Sequence, residues 1–127
     1  MTEEQDKKGK QWLFYVAGVQ HHSLHKCIDK LEKHSPLSLV CEPENKFDPF
    51  AVQIVYVNER QGDVVQVGYV PKKSSEEITA SLIRPGKIVG CYVSLLEPDE
   101  KPWKRLQVFV REEADLNETN LLRQLWT

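Results

Sequence analysis

Six short runs of β-branched and aromatic residues are each broken off by a proline, a glycine or a polar cluster. They are WLFYVAGV (Trp12–Val19), LSLVCE (Leu37–Glu42), AVQIVYV (Ala51–Val57), VVQVGYV (Val64–Val70), KIVGCYVSLLE (Lys87–Glu97) and WKRLQVFVRE (Trp103–Glu112). That composition favours strands. The breaks between them are tight. NERQGD supplies Gly62 for a left-handed turn, Pro71 stops the fourth run, and PDEKP reads as a hairpin-type loop. Short strands at such spacing predict a small antiparallel barrel, closed or nearly closed, of about six strands. The class is mainly β, with two or three short helices (α+β).

The helices have their own signals. Leu24, Cys27, Ile28 and Leu31 fall at i, i+3, i+4 and i+7, which predicts a helix of about three turns ended by Pro36. Lys72–Arg84 reads as a second helix, with Ile78, Leu82 and Ile83 facing inward and Ser74 or Ser75 as its cap; Pro85-Gly86 ends it. The segment from Asn117 predicts a last helical turn or two. A chain of 127 residues fits one domain. The expected division is a solvated tail over 1–10, a barrel domain over 11–112 and a helical tail over 113–127.

Several function classes are disfavoured. No apolar run reaches the roughly 18 residues of a membrane span, and the charged start MTEEQDKKGKQ is unlike a signal peptide. A soluble intracellular protein without a membrane partner is expected. Cys27, Cys41 and Cys91 are odd in number and widely spaced, which predicts free thiols, with Cys41 and Cys91 in the core. His21 and His25 stand at i, i+4 and are the weak metal candidates beside His22 and Cys27. No second ligand pair accompanies them, so no metal is expected. No nucleophile elbow or phosphate-cradling glycine motif occurs, and no partner sets apart the acidities of Glu42, Glu44 and Asp48. Neither catalysis nor a cofactor is expected.

Binding is left. The net charge of −2 gives no whole-molecule attraction to nucleic acid, so a local patch has to provide it. Lys26, Lys30, Lys33, Lys46, Lys72, Lys73, Arg84 and Lys87 lie in the middle of the chain, and Glu112, Glu113, Asp115 and Glu118 crowd its end. Trp12, Tyr56, Tyr92, Trp103 and Phe109 lie in strands and read as packing. Tyr15, Phe47 and Tyr69 lie at strand ends or in a loop. Phe47 has Lys46 and Asp48 beside it, and Tyr69 precedes Lys72 and Lys73. Aromatic platforms next to lysines suit unstacked bases. The same residues allow a structural reading, with Phe47 as a plug over one barrel end and Asn45 and Asp48 as turn formers.

CEPENKFDPFAVQI, followed by QVGYVPKK, resembles the HIRAN domain family. The residues that carry the resemblance are Glu42, Pro43, Asn45, Phe47, Asp48, Ala51, Gly68 and Tyr69. It spans about Trp12 to Gly90 and extends less firmly to Val110. It implies an OB-like barrel that grips the 3′-hydroxyl end of single-stranded DNA. Asp48 would read the hydroxyl, Phe47 would stack the terminal base and Tyr15 a second one. Asn45 would contact a base and Lys72 a phosphate, with Tyr69, Lys46 and Lys73 alongside. It further implies work in DNA repair or fork processing beside a helicase or nuclease on another chain, in a bacterial cytoplasm or a eukaryotic nucleus. Three departures stand out: Phe14 where DNA-binding relatives are basic, Phe47 where a tyrosine is expected, and a longer Gln20–Ser35 segment. The rival expectation is a protein-interaction or structural barrel module without DNA binding. A metal-binding or hydrolase-associated accessory domain comes third.

Overall fold

The structure, a computed structural model, describes residues 9–115. Six strands form one antiparallel sheet: β1 (Gln11–Tyr15), β2 (Pro36–Cys41), β3 (Val52–Asn58), β4 (Asp63–Tyr69), β5 (Lys87–Leu96) and β6 (Leu106–Asp115). Their order is β1-β6-β5-β2-β3-β4. Helix α1 (Lys72–Leu82) connects β4 to β5. Alternation sets the two faces of the sheet. Leu106, Val108 and Val110 of β6 and Val93 of β5 are buried in one core with Phe14, Val52, Ile54, Val67 and Ile78. The residues between them, Gln107, Phe109 and Arg111, fall on the outer face, where Phe109 pairs with both Leu13 and Tyr92.

The barrel, expected as closed or nearly closed, does not close. The edge strands β1 and β4 meet at a single bridge, Ala17 with Tyr69, after which Gly18 (φ 70°) turns the chain away. Three 3-10 turns, Val19–His21, Leu24–Lys26 and Ile28–Lys30, follow instead of the expected three-turn helix. The Ser23 N–H donates to the Gln66 carbonyl at 2.8 Å, so this segment occupies the edge of β4 that closure would have paired. Three residues of the apolar stripe, Leu24, Cys27 and Leu31, are buried, and Ile28 is half-buried against the core. Gly68 makes the bridge possible. A Cβ there would lie 2.5 Å from both the Ala17 carbonyl oxygen and Val16 Cγ1.

Other expectations shift locally. Pro71, and neither serine, stands at the N-cap of α1; Ser75 is buried within its first turns, and Ile83 is 70% exposed beyond its end. Trp103 lies in a 3-10 turn (Pro102–Lys104) before β6 and is exposed. Gly62 has the expected positive φ, 73°. All three cysteines are free. Cys27 and Cys91 are buried, Cys41 only half-buried. Burial pushes the Cys91 thiol up to about 12. The expected helical tail from Asn117, and residues 1–8 of the expected solvated tail, lie outside the described residues.

Candidate nucleic-acid interface

The loop between β2 and β3 is held by its own polar side chains. Asn45 Oδ1 accepts the N–H groups of Phe47 (2.8 Å) and Asp48 (3.1 Å), and Asp48 Oδ1 accepts that of Phe50 (2.9 Å). These are local turns of the kind that Asn and Asp favour. Their result is that Phe47 projects into solvent, 90% exposed. The ring is therefore not a plug over the sheet.

The loop is also fastened to α1. Ser75 Oγ lies 2.9 Å from Asp48 Oδ2 and 3.0 Å from the Lys72 carbonyl, so its single proton is shared between them. Thr79 donates to the Phe50 carbonyl at 2.9 Å. Asp48 is half-buried with one bond on each oxygen, one from the main chain and one from a side chain. An ionised carboxylate offers about four acceptor positions, so each oxygen keeps capacity for another donor. Lys46, Lys72 and Lys73 are exposed around this loop and the start of α1.

Behind the loop sits a carboxylate that composition alone did not single out. Glu42 Oε1 accepts the Tyr69 hydroxyl (2.8 Å) and Asn45 Nδ2 (3.1 Å), and Oε2 accepts Gln53 Nε2 (2.5 Å). Burial pushes the Glu42 carboxyl up. The bonds from Asn45, Tyr69 and Gln53, with His22 nearby, outweigh it and hold the group below the ordinary carboxylate range. The His22 ring lies 5.3 Å from that of Tyr69. Burial, then the Glu42 bond and charge, push the Tyr69 phenol up.

Tyr15 is half-buried at the end of β1, two residues before Ala17, which bridges Tyr69. Residues two apart on a strand share a face, so Tyr15 lies on the same outer face as Tyr69, and Glu42 ties that face to the loop. Phe14 points the other way and is buried, so its apolar character serves the core. His21 and His25 fall in separate 3-10 turns, so the helical face that would have paired them does not exist. No group of three potential metal ligands occurs among the described residues.

Sequence reasoning missed His22, Gln53, Ser75 and Thr79 as supports of the site. Two signals were present. Glu42 and Asn45 stand three apart, and Ser75 and Thr79 share one face of α1 at i, i+4.

A family model described as HIRAN domain matches residues 12–114. The fold is similar to the crystal structure of the HIRAN domain of human HLTF. The TM-score is 0.59 at 13% identity, over 80% of this chain and 74% of that one. No curated protein matches the sequence.

Proposed function

The chain belongs to the HIRAN domain family, in general a family of nucleic-acid-binding domains, and from that premise we propose that it grips the 3′-hydroxyl end of single-stranded DNA. The observation that carries this reading is the exposure of Phe47 at the tip of a loop whose backbone is fixed on both sides. Burying that ring against a base releases water from an apolar face at little ordering cost. Asp48, adjacent in sequence and oriented by Ser75 and the Phe50 N–H, accepts a hydrogen bond from the terminal hydroxyl. A 3′-phosphate meets repulsion there, and a continuing chain offers no donor.

Lys46, Lys72 and Lys73 neutralise phosphates. Tyr15, Tyr69 and the unused N–H of Asn45 face the bases. The chain acts without catalysis of its own, beside a helicase or nuclease on another chain in DNA repair or fork processing, in a bacterial cytoplasm or a eukaryotic nucleus.

The test compares an oligonucleotide ending in a 3′-hydroxyl with its 3′-phosphate form and with a circular strand. The expected order is hydroxyl first, the others weaker by tenfold or more. Equal affinity for all three removes the end-reading role.

A further inference from the structure

A cleft opens on the outer face of β5 and β6. Its volume is about 430 Å³, and Tyr92, Phe109, Lys33, His34 and Arg111 are among its lining residues. Tyr92 and Phe109 sit directly opposite each other across the two strands. Both rings line the cleft and give it an apolar floor. Three basic side chains surround it.

The backbone carries His34 to this place under constraint. His34 has φ 78°, the left-handed region that a residue with a side chain adopts at a cost. Its N–H donates to the Val93 carbonyl (2.8 Å), and the Val93 N–H donates to the Ser35 carbonyl (2.9 Å), which holds the segment against β5. Arg111 lies over the Tyr92 ring, 5.7 Å from its centroid. One acid is tied to the rim: Glu113 lies 3.9 Å from Arg111 and accepts the Tyr92 hydroxyl at 2.5 Å.

We propose that this cleft is a second contact for the bound DNA strand, with a base on the Tyr92–Phe109 floor and phosphates on Lys33 and Arg111. It rests on the end-binding reading above and extends it. Phe109 pairs with Leu13, two residues from Tyr15 on the same outer face, a step of roughly 7 Å along β1. The strand whose end is held near Phe47 continues across that face into the cleft. Glu113 weakens the contact by facing the phosphates with like charge.

The experiment titrates the full chain with a 3′-hydroxyl oligonucleotide of about four nucleotides and another of about sixteen, the span of single-strand site sizes, over a salt series. Lys33→Ala combined with Arg111→Ala leaves the short oligonucleotide within about twofold of wild type and weakens the long one roughly tenfold. The salt slope for the long one falls by about 1.4, two phosphate contacts at about 0.7 each. Glu113→Gln keeps an acceptor for Tyr92 and tightens the long oligonucleotide about threefold. If wild type binds both lengths and the variants change neither or both alike, the cleft is a structural brace and the end-binding reading stands. If wild type binds neither length, both readings fall.

Discussion

Phe47 stands nine-tenths exposed, at 90%, on a loop that spends three side-chain bonds holding its backbone. Replacing it with alanine removes no core contact, so unfolding stability should stay within about 0.5 kcal/mol. Binding of single-stranded DNA should weaken by about 1–3 kcal/mol, the usual worth of one stacked base. Thermal melts and an anisotropy titration check the two halves. A large stability loss would mean that the ring is structural. Gly68 makes the opposite prediction. The Gly68→Ala side chain meets a backbone oxygen at 2.5 Å, so the bridge to Ala17 must shift, at a cost of about 1–3 kcal/mol in urea denaturation. Phe47 was legible in the sequence because Lys46 and Asp48 mark it, whereas Gly68 entered only through the family resemblance and its close approach to Ala17 comes from the sheet. Glu42 as a hub was not: two of its donors, Gln53 and Tyr69, come from other strands. No local pattern reports such a meeting.

At the scale of elements, strand positions were legible from composition, but the face each side chain takes was not: Tyr92 and Phe109 read as packing and lie on the outer face. The 19–31 segment shows where that stops. A stripe at i, i+3, i+4 and i+7 fits a helix, yet successive 3-10 turns bury Leu24, Cys27 and Leu31 equally well. What decides is the open edge of β4, which takes the Ser23 N–H, and an edge is a property of the sheet. The contact between α1 and the loop was hidden for the same reason. Ser75 was expected as a cap and instead orients Asp48. Ser75→Ala should cost about 1 kcal/mol of stability. It should also free the Asp48 carboxylate to rotate, so that the Phe50 amide exchanges faster with deuterium and preference for a 3′-hydroxyl over a 3′-phosphate declines. Unchanged exchange at Phe50 would show that the loop does not depend on α1.

Across the whole molecule, the sheet stays open, and two carboxylates add side-chain ties to the backbone ladder between its strands. Glu42 links the end of β2 to Gln53 of β3 and Tyr69 of β4. Glu112 of β6 accepts the Lys10 N–H (3.0 Å) and the Ser81 hydroxyl of α1 (2.5 Å), with Lys87 of β5 at 4.0 Å. Burial pushes the Glu112 carboxyl up, but the Ser81 and Lys10 bonds, with Lys87 and Arg84, hold it below the ordinary range. Glu42 is lowered as well. In the unfolded chain both titrate near the ordinary value of about 4.3. As pH falls through that value the unfolded state takes up protons before the folded one, and folding loses stability. The loss continues until pH has passed the lowered folded values. Stability from these two groups is therefore complete at neutral pH and declines below about pH 5. Glu112→Gln supplies one oxygen where two bonds are accepted, so it should lower stability at pH 7 by about 1–3 kcal/mol. Because glutamine does not titrate, the variant should also lose less than wild type between neutral and acid pH. Urea denaturation across that range gives the comparison. Parallel wild-type and variant profiles would place the acid sensitivity elsewhere in the fold.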